Sequence, residues 1–210
     1  MAIDLENSAL IIVDVQNDFL PGGALAVNDG DKVIPVINRI QEKFEFIVAT
    51  QDWHPSNHGS FAANHKGKKV GETIILNNLQ QILWPTHCVE GSSGAAFHQG
   101  LNHNNWRKVF KKGTNPKVDS YSGFFDNGRK EQTGLGDYLK SKKIEKVFVT
   151  GLAADFCVKF TVLDALDLGF QTFLITDATK GVNLAPNATL DAFNEMKKKG
   201  AVLLQSDDLL

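Results

Sequence analysis

A buried strand runs directly into a helix at residues 146–169. Residues 146–150 form a short run that is rich in β-branched residues, whereas Phe156, Phe160 and Leu163 recur at helical spacing and Gly169 ends the run. Cys157 therefore lies in the first turn of a helix that leaves the carboxyl end of a strand. The helix dipole and the unpaired N–H groups there favour a thiolate, so Cys157 is a candidate nucleophile. The alternative is a small residue packed in the core.

The same alternation of strands and helices extends along the chain. Apolar runs predict strands at residues 9–15, 46–50, 106–110, 146–150, 170–176 and 201–205, and helices at 33–44, 132–141, 154–169 and 187–199. This order predicts the α/β class, as a three-layer αβα fold with a central, mostly parallel sheet covered by helices on both faces. No repeat or linker interrupts the pattern, so we expect residues 1–210 to form a single domain.

The composition excludes several classes of function. The net charge of the 210 residues is −2, which attracts neither nucleic acid nor an anionic membrane surface. The N-terminus has no signal-peptide pattern, and the longest early apolar run is too short to span a bilayer. Two cysteines cannot make a disulfide scaffold, so we expect a reducing compartment, the cytoplasm. A monomer and a homo-oligomer both remain open.

Three chemically reactive side chains lie at or just after the carboxyl ends of predicted strands. Asp14 ends the first, Lys112 follows the third, and Cys157 follows the fourth. Ligands of parallel sheets bind at the carboxyl ends of the strands, so these side chains point toward one rim. Asp14 could then take the thiol proton, and Lys112 could hold the thiolate charge. Taken singly, Asp14 could instead cap a loop, and Lys112 could be an exposed lysine at a strand end.

The irregular stretch at residues 51–103 contains all six histidines. A long irregular segment within a compact domain is usually functional or disordered. Asp52, His54, His58 and His87 are side chains that bind zinc, iron or manganese, and they would leave room for water in an octahedral shell. We therefore expect one divalent metal ion, with zinc as the first choice. The alternative is that the histidines are exposed and idle; His65 is an alternative to His58 as the third histidine ligand.

Aromatic residues accompany these polar groups. Phe19, Trp84 and Tyr121 lie in loops near the predicted rim, where they would form a slot for a flat ring or serve only as packing anchors. The backbone N–H groups of Ala153 and Cys157 could form an oxyanion hole beside the slot.

Six motifs in this chain resemble those of nicotinamidases, within the isochorismatase-like cysteine hydrolases. They are IVDVQNDF (12–19), DWHP (52–55), WPTHC (84–88), VFKKG (109–113), YSGF (121–124) and GLAADFCV (151–158). The motifs run in family order and span almost the whole chain. One departure is Phe156, which stands where many members have His or Thr, and we expect it to pack.

The resemblance implies specific roles for these residues. It implies a triad of Asp14, Lys112 and Cys157, the metal ligands Asp52, His54, His58 and His87, a ring slot of Phe19, Trp84 and Tyr121, and a cis peptide between Leu152 and Ala153. The implied activity is hydrolysis of nicotinamide to nicotinate and ammonia through a cysteine thioester, in NAD salvage, with pyrazinamide also accepted. The metal would bind the ring nitrogen. Another amidase or isochorismate hydrolase, and a non-enzymatic binding protein, are the alternatives.

Overall fold

A six-stranded parallel sheet forms the centre of the molecule. The computed structural model describes residues 3–209. The strands of the sheet are β1 (Ser8–Val13), β2 (Ile47–Asp52), β5 (Lys108–Lys112), β6 (Lys146–Leu152), β7 (Gln171–Lys180) and β8 (Val202–Leu204). Their order in the sheet is β5-β2-β1-β6-β7-β8. Every pairing between these strands is parallel. The chain winds outward from β1 in both directions, so β1 and β6 lie at the middle of the sheet.

Helices cover both faces of the sheet. They are α1 (Val33–Gln41), α2 (Leu135–Ser141), α3 (Lys159–Asp167) and α4 (Ala188–Lys198). Alternate residues of β1 face opposite ways: Ile12 packs in the core cluster that contains Ile37 of α1, and Ile11 packs in the cluster that contains residues of α2, α3 and α4. The predicted three-layer αβα fold is therefore confirmed.

The histidine-rich stretch contains structure that the sequence prediction left out. A two-stranded antiparallel hairpin forms from β3 (Thr73–Leu76) and β4 (Leu79–Ile82). Its turn is Asn77-Asn78, and both residues have positive φ, at 49° and 65°. Asparagine tolerates that conformation and favours two-residue hairpin turns. This turn signal between two apolar runs was the available clue to the hairpin.

The element that carries Cys157 also differs from the prediction. Residues Ala154–Val158 form one π-helical turn, and the regular helix α3 starts only at Lys159. Such turns are frequent at functional sites. Among residues 3–209, no helix is long and apolar enough to cross a bilayer.

Candidate active site

The structure brings Asp14, Lys112 and Cys157 together at the carboxyl ends of the central strands. Nζ of Lys112 lies 2.8 Å from Oδ2 of Asp14 and 3.4 Å from Sγ of Cys157. Atoms of Asp14, Asp52 and Cys157 also lie within 4.8 Å of one another. All four side chains are buried. The cluster thus places a carboxylate and an ammonium beside one thiol.

Local backbone geometry makes this convergence possible. Asp14 follows β1 with φ 48°, a left-handed conformation that aspartate tolerates better than most residues. Gly151, in β6, has φ 112°, and a Cβ there would lie 2.1 Å from the carbonyl oxygen of Val13. Only glycine therefore allows β6 to approach β1 closely just before Cys157. The peptide bond between Leu152 and Ala153 is cis, as the resemblance implied.

Burial dominates the electrostatics of the nucleophile. It raises the pKa of the Cys157 thiol well above its ordinary value, and the charge of Lys112 only partly opposes this effect. The expectation that the helix start acidifies this thiol is therefore wrong. Burial also raises the pKa of the Asp14 carboxyl, although the positive charge of Lys112 opposes this effect. Burial would lower the pKa of Lys112, but Asp14 and Asp52 hold it well above the ordinary value. The site therefore contains a protonated thiol at Cys157, a nearby base at Asp14 and a permanent positive charge at Lys112.

Asp52, His54 and His87 form a compact group of metal-type donors. Oδ2 of Asp52 lies 3.4 Å from Nε2 of His54 and 3.7 Å from Nε2 of His87. Nδ1 of His54 lies 2.8 Å from the carbonyl oxygen of Gly113, and Nδ1 of His87 lies 2.8 Å from that of Pro85. Because a carbonyl only accepts, each Nδ1 carries a proton, and in the neutral imidazole each Nε2 keeps a lone pair that a metal could accept. This donor set fits one divalent ion of the first transition row.

Gly113, which follows Lys112, leaves the space that the His54 ring of this donor group occupies. Gly113 has φ 66°, and a Cβ at this position would lie 2.3 Å from the His54 ring. The ring therefore packs directly against the backbone that accepts its Nδ1–H. Oδ1 of Asp52 meanwhile accepts from Lys112 at 2.5 Å, which leaves Oδ2 for the histidine side. Lys112 thus connects the donor group to the cysteine.

His58 lies beside this group and belongs to a second one. Its ring centroid is 4.3 Å from that of His54, and donor atoms of His54, His58 and Asp119 lie within 4.8 Å of one another. Nδ1 of His58 accepts a 3.2 Å hydrogen bond from the backbone N–H of Ser60 and lies 2.7 Å from its Oγ. In the neutral ring Nε2 therefore carries the proton, and it is buried without a hydrogen-bond partner among residues 3–209. Burial, with the charge of His54, lowers the pKa of His58 to about 4.

The alternative ligand His65 is directed elsewhere. Its Nε2 lies 2.7 Å from the carbonyl oxygen of Gly59, and it belongs to neither donor group found among the described residues. The structure therefore favours His58 over His65 as the histidine nearest to Asp52, His54 and His87.

An aromatic pocket lies above the cysteine. Phe19, Trp84 and Tyr121 line it together with Ala153 and Cys157, as the sequence predicts. Asp52 and His87 line the same pocket, so the donor group and the thiol face one cavity.

Phe156 also lines this pocket, although the sequence prediction assigned it only a packing role. Its ring meets Trp84 edge-on at 4.9 Å and lies 5.4 Å from the ring of Tyr121. Other lining residues that the prediction omitted are Leu25, Asp119 and Val182. The pocket thus combines flat apolar walls with a thiol and a set of metal-type donors.

Comparison with known proteins agrees with this geometry. Residues 8–208 match the family model of the isochorismatase domain. The nicotinamidase of Escherichia coli is 51% identical over 199 residues, which are 93% of this chain and 93% of that protein. A solved nicotinamidase/pyrazinamidase of Acinetobacter baumannii is 50% identical with a TM-score of 0.93, covering 98% of this chain and 99% of that chain.

A third relative was solved with a metal. The pyrazinamidase of Pyrococcus horikoshii, in complex with zinc, has a TM-score of 0.77 at 38% identity, covering 95% of this chain and 99% of that chain. The resemblance that the six motifs indicated is therefore confirmed. The chain belongs to the isochorismatase-domain family, in its nicotinamidase branch, and is an amidohydrolase.

Proposed function

We propose that this amidohydrolase converts nicotinamide to nicotinate and ammonia through a thioester on Cys157, and that it also accepts pyrazinamide. The observation that carries the proposal is that Nζ of Lys112 lies 2.8 Å from Asp14 and 3.4 Å from the sulfur of Cys157, and that Cys157 lines an aromatic pocket. The names of the similar enzymes supply the substrates. The reaction would serve NAD salvage in the cytoplasm.

Asp14 acts first as a general base. It accepts the thiol proton, and Sγ of Cys157 bonds to the amide carbon while the carbonyl electron pair moves to oxygen. The N–H groups of Ala153 and Cys157 stabilise that oxyanion. Lys112 stays protonated, because two buried carboxylates hold its proton, and its charge stabilises the sulfur as the proton leaves. This role needs no proton transfer from Lys112.

Asp14 then acts as an acid. It returns its proton to the amide nitrogen, the C–N bond breaks, and ammonia leaves an acyl thioester on Cys157. Asp14 next removes a proton from water, which attacks the thioester carbon. The C–S bond breaks, the sulfur regains a proton from Asp14, and nicotinic acid departs and loses its proton in solution to give nicotinate. The aromatic walls of Phe19, Trp84 and Tyr121 hold the ring in place.

Asp52, His54 and His87 would hold one divalent metal ion, with zinc the first choice, and His58 is the nearest candidate for a further ligand. The free Nε2 atoms of two histidines and the solved zinc complex of a relative support this assignment. When bound, the ion would supply a Lewis acid for the ring nitrogen of the substrate.

Ammonia release from nicotinamide tests this function, with two cysteine variants as a matched pair. Cys157→Ala should lower turnover on the order of 10³-fold or more, because the nucleophile is lost. Cys88→Ala removes the second buried thiol and should leave turnover nearly unchanged. In wild type, mass spectrometry after rapid quenching should detect the acyl adduct on Cys157. Substantial activity in Cys157→Ala would rule out the thioester, and absence of ammonia release from nicotinamide in wild type would favour a different amide substrate.

A further inference from the structure

Asp155 is a buried acidic residue that the proposed mechanism does not use. It lies in the π-helical turn, two residues before Cys157. Oδ1 accepts a hydrogen bond of 2.9 Å from the backbone N–H of Val182, and Oδ2 accepts one of 2.7 Å from the backbone N–H of Asn183. Two successive N–H groups of a distant loop therefore satisfy both oxygens of one carboxylate, as the burial of such a group requires.

The loop that follows β7 approaches this carboxylate closely. Gly181 is the first residue after the strand, and a Cβ at this position would lie 3.1 Å from Oδ1 of Asp155 and 2.1 Å from Oγ1 of Thr189. Glycine therefore gives the loop the space to reach Asp155. The side chain of Asn183 bonds back to Gly181 and to Thr189 of α4, so it shapes the loop itself. The hydrogen bonds to Asp155 are those that join the loop to the π-helical turn.

Val182 connects this loop to the aromatic pocket. It lines the pocket together with Ala153, Phe156 and Cys157, and it packs against the core cluster that contains Phe19. The residues after it, 183–187, are exposed, so Val182 is the part of the loop that faces inward. An aliphatic wall contacts a flat ring equally in the ground state and in the transition state. Contacts of this kind lower KM and leave kcat unchanged.

The π-helical turn has hydrogen bonds of its own. The backbone N–H of Phe156 donates to the carbonyl oxygen of Ala153 at 3.1 Å, and Oγ1 of Thr161 donates to the carbonyl oxygen of Cys157 at 2.6 Å. These bonds hold the thiol and the proposed oxyanion N–H groups without help from the Asp155 side chain. Loss of the Asp155 carboxylate should therefore displace the loop rather than the nucleophile.

We propose that Asp155 is a positioning residue for substrate binding, which holds residues 181–183 so that Val182 closes the aromatic pocket against the substrate ring. This inference rests on the proposed function, which supplies the ring. Asp155 does not line the pocket and acts only through Val182. Removal of one of its acceptor oxygens should therefore weaken binding of the ground state and of the transition state to the same extent.

The test is a double-mutant cycle on the kinetics of nicotinamide hydrolysis. Asp155→Asn keeps the shape of the side chain but replaces one acceptor oxygen with an NH₂ group, and should raise KM about 3- to 10-fold with kcat nearly unchanged. Val182→Ala should raise KM by a similar factor. The double variant should resemble the more affected single variant, because both changes remove the same wall.

Asp126→Asn is the matched control. Asp126 is also buried and accepts from two successive backbone N–H groups, those of Lys130 and Glu131, but it does not line the aromatic pocket. This variant loses the same kind of hydrogen bond and should leave KM unchanged.

The kinetics separate this inference from the proposed function. Absence of ammonia release by wild type would contradict the proposed function. If wild type hydrolyses nicotinamide, any of four results overturns the present inference alone: an unchanged KM in Asp155→Asn, a loss confined to kcat, effects that multiply in the double variant, or an equal rise of KM in Asp126→Asn.

Hydrogen exchange of wild type with added nicotinate decides if circular dichroism shows that Asp155→Asn does not fold, or if wild type releases no ammonia. Nicotinate should slow exchange at the N–H groups of Val182 and Asn183, because the loop can open only after the ring has left. The two N–H groups that Asp126 holds should respond less. An equal response at both places, or no response at Val182 and Asn183, would overturn the inference.

Discussion

Nζ of Lys112 lies 2.8 Å from Oδ2 of Asp14, and both side chains are completely buried. The same ammonium donates to Oδ1 of Asp52 at 2.5 Å and to the sulfur of Cys157 at 3.4 Å. One cation therefore contacts the proposed base, a proposed metal ligand and the proposed nucleophile. A substitution at any of these four residues should therefore alter the contacts that Lys112 makes with the others. The predictions for Asp14 and Lys112 rest on these shared contacts.

Asp14→Asn should lower kcat about 10²- to 10⁴-fold, because the neutral amide cannot accept the thiol proton. The control is Thr50→Val, which keeps the carboxylate but removes the 2.7 Å hydrogen bond that the Thr50 hydroxyl donates to Oδ1. Its loss of activity should be much smaller. Ammonia release from nicotinamide measures both variants. Near-wild-type turnover in Asp14→Asn would remove Asp14 from the role of base.

Lys112→Met should lower the free energy of unfolding of the metal-free protein by about 3–5 kcal/mol, the usual cost of leaving buried charges without their partner. Asp14 and Asp52 would then face each other uncompensated. Lys111→Met is a suitable control, because Lys111 is exposed and its ammonium lies 3.6 Å from the centre of the Trp53 ring. That contact is worth about 0.5–1 kcal/mol. Urea unfolding followed by circular dichroism compares the variants, and similar losses in both would contradict the shared-cation argument.

The two histidines beside His54 should differ in their effect on metal content. His87→Ala removes a donor of the group formed with Asp52 and should sharply lower the metal bound per chain. His58→Ala should reduce it less, because His58 belongs to the second group, with Asp119. His65→Ala should have no effect, since its Nε2 contacts the carbonyl oxygen of Gly59. Elemental analysis after dialysis against limiting Zn²⁺ measures these contents. Full metal content in His87→Ala would contradict its assignment as a ligand.

The sequence alone predicts that the three side chains of the proposed triad lie close together, because the topology of the sheet determines their positions. Asp14, Lys112 and Cys157 follow parallel strands, and the carboxyl ends of such strands converge at one edge. Asp52 is likewise the last residue of a strand, and its side chain is buried. Alternating apolar runs are enough to place all four residues at that edge before any coordinates are known.

Contacts made by the hairpin could not be predicted in this way. Gln81 bonds Asp119 across 38 positions of sequence, and neither residue has a pattern that marks it as part of a site. The thiol of Cys157 shows a second limit: its position at a helix start suggested a lowered pKa, but burial by the surrounding chain raises it. Tertiary burial outweighs a local dipole, and burial of this kind depends on residues far away in sequence.

Substrate selection should depend on the ring nitrogen. Nicotinamide and pyrazinamide both carry a nitrogen that can face the donors of Asp52, His54 and His87, whereas benzamide keeps the flat ring and the amide but lacks that atom. The aromatic walls of Phe19, Trp84 and Phe156 would hold all three rings alike. Loss of the metal contact should therefore lower kcat/KM for benzamide roughly 10²-fold or more. If the ion is only structural, the aromatic pocket alone selects flat amides and benzamide reacts nearly as fast as nicotinamide. Measuring kcat/KM for the three amides with metal-loaded enzyme separates these cases, and similar values would refute direct contact between the ring nitrogen and the metal.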